Sequence, residues 1–332
     1  MSNNLSKHNE KNDYEKKIKS YSQKIHENGV PLIFDSEHLR RIIGVNKKSF
    51  LEIINSIDIQ YHTIYVPKKR EGFREINKPS INLMIIQRWI LENILYKKKV
   101  HNNSFGFEPK KSVISNAKEH LNKKTVLSVD IEDFFHSIKE DYIKKIFLDM
   151  GYTKKLSELL AKICCFNGML PQGSPSSPYL SNIYCIELDK DIYKLCQNYD
   201  LKYSRYADDI TISSNNHINS EEVITNLIKI FNKYGFEMNS SKTRVSLKGN
   251  RQIVTGILVN DKLNVSKKYR NDLRQEIYYL NKYGLENHLD KRDDIMRRSN
   301  YKEYIYGKVN YLKLFDIEKA NNYYEVLNRI DW

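Results

Sequence analysis

The feature that most constrains this chain is an acidic pair between two short extended runs, in the segment from Tyr203 to Ser214. After Asp208 and Asp209, Ile210 and Ile212 alternate with polar residues, which is the period-two pattern of a half-buried strand. The pattern predicts a hairpin with carboxylates at its tip. Because Asp is favoured in ordinary turns, the pair alone indicates either solvated turn residues or ligands for a divalent cation.

A second acidic residue stands at the end of another predicted strand. The run from Thr125 to Val129 is β-branched and apolar and leads into Asp130, after which residues 134–146 carry apolar side chains at helical spacing. A side chain at a strand end projects into a site more readily than one in the middle of a sheet. If the two strands are neighbours, Asp130 converges with Asp208 and Asp209. Carboxylate oxygens in that arrangement suit Mg²⁺, which takes the rest of its shell from water and phosphates.

A proline-rich loop lies between the two acidic segments. Residues 170–178 read LPQGSPSSP and are followed by a helical pattern of apolar residues. Gly173 carries no side chain, so the backbone at Gln172 and Gly173 can approach a ligand closely. The loop alone is weak evidence for a ligand-binding site. Its position after Asp130 and before Tyr206 strengthens that evidence.

Two further short patterns flank this core of motifs. Residues 116–120 read NAKEH, in a helix that the sequence predicts to be capped by Ser115, and Asn116 and His120 lie on one helical face. Such a pair is more often a structural hydrogen-bonding contact than a functional site. Residues 254–256 read VTG within a predicted buried strand hairpin.

In this order, the motifs resemble those of reverse transcriptases. The chain from Tyr61 to Val259 is similar to that family, with Asp130, the LPQG loop and the YADD pair at matching places. The NAKEH and VTG patterns are similar to the NAxxH and VTG signatures of bacterial retron reverse transcriptases. The resemblance implies an α+β, right-hand polymerase fold with fingers, a palm of antiparallel sheet packed on helices, and a helical thumb.

The resemblance also implies boundaries for these parts. They are an N-terminal helical extension over 1–60, fingers with part of the palm over 61–125, the palm over 126–260 with a fingers-side insertion around 150–175, and the thumb over 261–332. Within the fingers, the apolar spacing predicts a helix from Ile76 to Leu95. The thumb is basic, with interleaved tyrosines, a composition that suits contact with RNA phosphates and unpaired bases and also an ordinary helical subdomain with tyrosines half in its core, and both can hold at once. The retron resemblance implies that the thumb recognises the template RNA.

A catalytic metal centre follows from the same resemblance. Asp130 and Asp208 would hold two Mg²⁺ ions, Asp209 would support them, and Ile131 would offer its backbone carbonyl. Such an ion pair activates a hydroxyl nucleophile and stabilises the leaving oxygen in phosphoryl transfer. The expected substrates are deoxynucleoside triphosphates, with attack on the α-phosphate and loss of pyrophosphate.

The nucleotide-binding residues that the resemblance implies come from four parts of the chain. A basic hairpin would neutralise the triphosphate, and an aromatic residue would exclude a 2′-hydroxyl, although spacing alone leaves open which of Phe134 and Phe135 is exposed. A downstream lysine would assist near the pyrophosphate, and a simply solvated lysine is equally consistent. The set comprises Lys69 and Arg74 of the hairpin, Phe135 as steric gate, Gln172 and Gly173 of the loop, and Lys242.

Composition agrees with a polyanionic partner. The chain of 332 residues has a formal net charge of +14, which favours nucleic acid over an acidic small molecule. Its four cysteines lack paired CxxC spacing and are expected to be buried or free thiols of a reducing compartment. No apolar run approaches the ~18 residues of a membrane span, so the expected location is cytoplasmic.

The retron resemblance implies a particular function. The enzyme would copy part of a cognate noncoding RNA of the msr–msd type into single-stranded DNA, primed from a 2′-hydroxyl to give branched msDNA, and act with an effector protein in antiphage defence. Asn116, His120, Val254, Thr255 and Gly256 would belong to the retron signature or to RNA binding. The alternatives are a group II intron or diversity-generating reverse transcriptase, or a noncatalytic RNA-binding protein on the same scaffold.

Overall fold

The computed structural model describes residues 2–68, 72–290 and 300–332, with side chains from residue 15 onward. In this part of the chain the helices are α1 (Ser2–Glu27), α2 (Ser36–Ile43), α3 (Lys47–Asn55), α4 (Ile81–Asn93), α5 (Val113–Glu119), α6 (Glu140–Asp149), α7 (Lys154–Cys164), α8 (Ser177–Tyr184), α9 (Ile186–Asn198), α10 (Ser220–Lys233), α11 (Lys267–Asp290), α12 (Tyr301–Lys313) and α13 (Ile317–Leu327). The strands are β1 (Tyr61–Pro67), β2 (Phe73–Pro79), β3 (Thr125–Glu132), β4 (Lys202–Tyr206), β5 (Asp209–Ser214), β6 (Glu237–Met238), β7 (Arg244–Leu247), β8 (Ile253–Val254) and β9 (Ile257–Leu258).

Contacts divide the chain into two units. The first unit contains residues 1–111, 129–210 and 219–243, and the second contains residues 112–128, 211–218 and 244–332. The polymerase subdomain boundaries predicted above stay predictions, because the two units reflect contact density and not function. Four of the residues that the sequence predicts for the site, Asp130, Asp208, Asp209 and Lys242, all belong to the first unit.

A five-stranded sheet carries the acidic residues. Its strand order is β4–β5–β3–β6, and β7 also pairs with β3. In the first unit, Ile131 of β3 is opposite Met238 of β6 in antiparallel register. In the second unit, the N-terminal half of β3 pairs antiparallel with β7, with Thr125 opposite Leu247. The side chains of β3 from Thr125 to Ile131 are buried on both faces, except that Ser128 is half-buried.

The fold class predicted from the sequence is confirmed as α+β, with antiparallel strands packed on helices. The acidic pair connects β4 and β5, as the alternation of Ile210 and Ile212 indicates, and both isoleucines are fully buried. A separate two-stranded hairpin, β1–β2, pairs Tyr61 with Pro79 and Pro67 with Phe73. No helix in the described ranges is both long and apolar enough to cross a membrane.

The second unit has an apolar core of its own among the C-terminal helices. Leu273, Ile277 and Leu280 of α11 pack with Ile305 and residues of α12 and α13. A smaller cluster joins α5 to the β8–β9 hairpin and includes Ala117, Val254 and Ile257. The predicted helical character of the thumb region is therefore found in α11 to α13.

Three local predictions were wrong. The predicted helix from Ile76 starts later, because residues up to Pro79 form β2 and pair with β1, and Ser80 caps α4 by accepting a hydrogen bond from the amide of Leu83. Residues 133–137 form turns before α6, which begins at Glu140, since Asp133 has a left-handed φ of 44° that ends the strand. Helix α5 is capped by Ser112, and Ser115 only completes the capping box.

Candidate active site

Three aspartates meet at the junction of β3 with the β4–β5 hairpin. The backbone amide of Ile131, next to Asp130 in β3, donates a hydrogen bond of 3.1 Å to the carbonyl of Asp208. The carbonyl of Asp130 accepts a hydrogen bond of 2.9 Å from Asn239, just after β6. These two bonds place the predicted acidic residues together, with Asp209 at the first position of β5.

The electrostatics of the three carboxylates are those of a crowded anionic site. Burial raises the pKa of Asp208, and the charge of Asp130 raises it further. The pKa of Asp209 is raised to about 6, first by desolvation and then by the charges of Asp208 and Asp130. Part of the Asp209 residue is open to solvent, yet protein atoms surround its carboxylate closely enough to desolvate it. Such a site gains stability from a cation that offsets this repulsion.

Lys242 supplies one cation at this place. Its Nζ lies 2.7 Å from Oδ1 of Asp130, and about half of its side chain remains exposed. Its charge also lowers the pKa values of Asp208 and Asp209 in part. The lysine predicted from the sequence is therefore a direct neighbour of the acidic residues, although its chemical role is a separate question.

The acidic residues fit a divalent cation that shares its shell with substrate. In the portion of the chain that is described, no three or more His, Cys, Asp and Glu side chains form a cage that would hold a metal unaided. Mg²⁺ is usually bound by one or two carboxylates plus water and substrate phosphates, so a cage is not required. Two aspartates with raised pKa values beside the buried Asp130 supply the hard oxygen donors that this mode needs.

The turn that carries Asp208 has an unusual backbone. Ala207 has a φ of 59°, in the left-handed region that residues with a Cβ rarely adopt. Gly106 packs directly against it: a Cβ on Gly106 would lie 2.6 Å from the amide nitrogen of Ala207. The approach of the two backbones therefore requires glycine at position 106.

A buried ion pair supports this turn from beneath. The Arg205 guanidinium makes two hydrogen bonds of 2.7 Å with Asp189, and both side chains are fully buried. The same guanidinium donates to the carbonyl of Ala207 at 3.1 Å and to Asn182 Oδ1 at 3.1 Å. It also donates to the Ser104 hydroxyl at 3.2 Å. Five hydrogen bonds thus use the full donor set that an arginine offers.

Arg205 and Asp189 were not predicted from the sequence. A signal was present, because Asp189 stands among Leu188, Ile192 and Cys196 on the apolar stripe of α9, where an unpaired carboxylate would be costly. A carboxylate at such a position predicts a buried cationic or hydrogen-bonding partner. It does not predict which residue that partner is.

Two of the predicted nucleotide-binding residues, Arg74 and Lys242, lie close enough to the aspartates to act on their pKa values. Arg74, exposed on β2, is close enough to Asp208 to lower the pKa of that carboxyl in part. Phe135 is half-buried, whereas Phe134 is 4% exposed and stacks on Phe236, so Phe135 is the more accessible ring. Lys69 lies outside the described residues.

The predicted glycine loop is fixed by contact with β2. The carbonyl of Gln172 accepts a hydrogen bond of 2.8 Å from the amide of Asn77. Gly173 has a φ of 134°, and a Cβ there would lie 2.7 Å from the carbonyl oxygen of Asn77. The close approach that the structure shows at this glycine is to the backbone of Asn77 in β2, and the predicted approach to a ligand stays a prediction.

The two retron signature patterns lie together in the second unit. His120 is fully buried and its Nδ1 is 2.7 Å from the hydroxyl of Ser213 in β5, while Asn116 is 1% exposed. Thr255 donates a hydrogen bond of 3.2 Å from its hydroxyl to the carbonyl of Val113 at the start of α5. Val254 is buried, and Gly256, with a φ of 83°, completes the turn between β8 and β9.

Comparison with known proteins identifies the family of the chain. A family profile described as reverse transcriptase (RNA-dependent DNA polymerase) matches residues 66–291, more than half of the chain. The retron Ec86 reverse transcriptase of Escherichia coli is 32% identical over 255 residues, which cover 76% of this chain and 80% of that protein. The chain belongs to the retron reverse transcriptases. It is accordingly an RNA-directed DNA polymerase, and enzymes of this kind act on an RNA template with divalent metal ions.

Other retron enzymes match at similar levels. The retron Se72 reverse transcriptase of Salmonella heidelberg is 30% identical, with 83% of this chain and 75% of that protein covered. The retron Mx65 reverse transcriptase of Myxococcus xanthus is 29% identical over 78% of this chain, which spans 62% of that relative. Among solved structures, a Candida albicans telomerase in complex with a fragment of telomeric RNA matches with 11% identity and a TM-score of 0.43, over 86% of this chain and 60% of that one.

Proposed function

We propose that this retron reverse transcriptase copies part of a cognate structured noncoding RNA into single-stranded DNA, starting from a 2′-hydroxyl of that RNA, and that the branched product acts in antiphage defence. The observation that carries the polymerase chemistry is the meeting of Asp130 with Asp208 and Asp209 beside Lys242. Retron family membership and the packed NAxxH and VTG signatures support the more particular product.

The metal centre that we propose uses the three aspartates. Asp130 and Asp208 would hold two Mg²⁺ ions, with Asp209 in support and the Ile131 carbonyl as a further oxygen donor. When bound, the ions would supply charge stabilisation to the transferring phosphoryl group and lower the pKa of the attacking hydroxyl. The protein's part is to keep desolvated carboxylates together at a fixed hairpin, so that little reorganisation is needed when substrate arrives.

The surrounding residues would hold the incoming nucleotide. Arg74 would contact the triphosphate, since its charge already acts on Asp208. Phe135 would lie beneath the sugar and exclude a 2′-hydroxyl, and the loop at Gln172 and Gly173 would lie against the nascent base pair. Lys242 would move from Asp130 toward the pyrophosphate, where an ammonium group stabilises the leaving charge and offers a proton.

The partners in this proposal follow from the reaction. The template is the cognate RNA, the substrates are deoxynucleoside triphosphates, and the product is a DNA strand joined to the RNA. We assign RNA recognition to the basic helices α11 to α13 of the second unit. An effector protein from the same locus would use the RNA–DNA product, and the setting would be the cytoplasm.

The test is to purify the protein from cells that carry its native locus and to analyse the bound nucleic acid after separate RNase, DNase and debranching treatments. A short DNA whose gel mobility changes after both RNase and debranching would support the branched product. Unbranched DNA would instead favour a different initiation mode. RNA without DNA would contradict the proposal, because the enzyme would then bind its template without copying it in those cells.

A further inference from the structure

The first unit carries a surface groove that takes no part in the site described above. Its volume is about 700 Å³, and it lies among α6, the junction of α8 and α9, the end of α10 and residues 98–102. The floor is apolar and is built by Ile146, Met150, Ile183 and Ile186. None of the residues predicted to be catalytic or nucleotide-binding lines it.

The course of α8 separates this groove from the catalytic residues. Helix α8 begins at Ser177, shortly after the loop of Gln172 and Gly173, and ends at Tyr184 in the groove. A helix of eight residues is about 12 Å long, at 1.5 Å per residue. The groove is therefore at the opposite end of α8 from the loop that contacts the fingers hairpin.

The rim of the groove is positively charged. Lys98, Lys99 and Lys145 are exposed on it, and no ion pair to these three side chains occurs within the described residues. Lys190 and Lys233 also line the groove and are paired with Glu187 and Asp191. The three unpaired ammonium groups give this face a net attraction for phosphates.

An exposed aromatic ring lines the same groove. Tyr142 is 45% exposed, and its ring centroid lies 5.0 Å from that of Tyr184. Tyr184 is held in place because its hydroxyl donates a hydrogen bond of 2.7 Å to the carbonyl of Tyr234. A supported ring beside lysines is the composition that binds single-stranded nucleic acid, since bases stack on the ring and cations follow the backbone.

An acidic residue in the same groove bears on whether the groove would bind RNA or DNA. Asp149, at the end of α6, is exposed, and no ion pair to it occurs in the described chain. A carboxylate repels phosphate but accepts a hydrogen bond from a 2′-hydroxyl, which RNA has and DNA lacks. The groove thus offers three lysines for phosphates and one carboxylate for a 2′-hydroxyl, none of them in an ion pair within the described residues. This combination favours RNA over DNA.

We propose that this groove binds one or two nucleotides of a single-stranded RNA segment. A base would stack on Tyr142 above the apolar floor, the phosphates would contact Lys98, Lys99 and Lys145, and Asp149 would accept from a ribose hydroxyl. A site of this volume suits a ligand of that size. The inference rests on the proposed function in one respect, namely that the RNA partner has single-stranded segments outside the template.

The test uses the full-length protein and a ten-nucleotide oligouridine that carries one 5-iodouridine for photocrosslinking. The crosslinked peptide, identified by mass spectrometry, should contain Tyr142 or Tyr184. Exchange of both Lys98 and Lys145 for glutamate should weaken oligouridine binding at least tenfold and reduce the slope of log affinity against log salt by about 0.7 for each lost contact. The matched control exchanges the exposed lysines Lys155 and Lys229, which do not line the groove, for glutamate.

The outcomes separate this inference from the proposed function. Crosslinks confined to peptides outside the groove, or equal weakening by the control charge reversals, would overturn the groove assignment. Equal affinity for oligouridine and oligothymidine would overturn the preference for RNA. Primer extension on an RNA template is measured on the same preparations: extension without a groove crosslink rejects the groove alone, whereas wild-type protein that extends no primer rejects the proposed function.

Discussion

Arg205 donates a hydrogen bond of 3.1 Å to the carbonyl of Ala207, the residue immediately before Asp208. The same guanidinium is held on Asp189 by two bonds of 2.7 Å in a fully buried pair. The ion pair thus fixes a hydrogen-bond donor at the strained residue of the turn between β4 and β5. Because catalysis by positioning is sensitive to displacements of about 1 Å, we regard Arg205 as a positioning residue for Asp208.

Exchange of Arg205 for methionine is expected to be strongly destabilising. It leaves Asp189 buried without its cation, and breaking a buried pair in this way costs about 3–5 kcal/mol. The double variant Arg205→Met with Asp189→Leu should recover much of the free energy of unfolding, because both charges are gone. Its primer-extension rate should stay low, since the Ala207 carbonyl has still lost its donor. Urea unfolding and extension kinetics measure the two effects separately.

A half-exposed ion pair provides the control for Arg205. Lys144 and Glu158 are 2.6 Å apart with about a quarter and two fifths of their side chains exposed. Solvent screens such a pair, so Lys144→Met should lower the free energy of unfolding far less than Arg205→Met does. If the double variant at 205 and 189 regained both stability and a normal extension rate, Arg205 would serve folding alone.

The exchange of Gly106 for alanine tests the same turn from the other side. The added Cβ would lie 2.6 Å from the backbone nitrogen of Ala207, and backbone atoms cannot yield as a flexible side chain does. We expect a large loss of extension rate at saturating nucleotide, with the affinity for RNA little changed. Gly307→Ala is the matched control, because a Cβ there meets nothing within 4 Å and alanine favours the helix interior. Equal activity of the two variants would contradict the contact.

The sequence predicted the acidic hairpin of β4 and β5 because the pattern that specifies it is local. Alternation after Asp209 specifies β5, and the β-branched run before Asp130 specifies β3. The wrong predictions fall where distant contacts decide the outcome. Ile76 to Pro79 has helical spacing in the sequence, yet its pairing with β1 makes it a strand, because cross-strand partners outweigh intrinsic preference.

The support of the site was harder to predict than its acidic residues. The residues near Arg205 in the sequence do not predict that it bonds to Asp189, Asn182 or Ser104, because these partners come from distant segments. The NAxxH histidine shows the same limit: its spacing predicts a shared helical face with Asn116, but the contact with Ser213 depends on where β5 lies. Side chains that link elements far apart in sequence are visible only in the folded chain.

The four cysteines should be unreactive in the native protein. All are free and buried, and burial raises the pKa of Cys164, Cys185 and Cys196 to about 12, while the pKa of Cys165 is raised further by burial and its neighbour Cys164. At pH 8, a thiol-reactive aromatic disulfide should modify them on the order of a thousandfold more slowly than in the urea-unfolded chain, whose thiols ionise near 8.5.

The raised pKa values of the cysteine thiols also determine how the free energy of unfolding changes with pH. Above about pH 8.5 the unfolded chain loses thiol protons that the folded chain keeps, so the free energy of unfolding should fall as the pH rises toward 12. A thiol that reacted within seconds in the folded protein would contradict its burial.

Phe135 should control the choice of sugar. Replacing it with valine removes the ring that we place beneath the incoming nucleotide, while Phe134 remains stacked on Phe236 in the core. The ratio of ribonucleotide to deoxynucleotide incorporation should rise about tenfold or more, as expected when a steric contact worth a few kcal/mol is lost. Single-nucleotide extension measures the ratio. Phe73→Val, at an exposed position of β2, is the control and should leave it unchanged.

The exchange of Asp208 for asparagine separates catalysis from binding. Asparagine keeps the size of the side chain but removes a charge from a site whose proposed task is to hold cations, so extension should fall by at least about a thousandfold, in the range for loss of one key electrostatic group. RNA affinity should change little, because it depends on basic surfaces elsewhere. The free energy of unfolding should stay the same or rise slightly, since burial and the charge of Asp130 oppose ionisation of Asp208.

Asp261→Asn, at an exposed position, is the control for the Asp208 variant. Normal extension by the Asp208 variant, measured with RNA binding on the same preparation, would show that the three aspartates are not the catalytic centre.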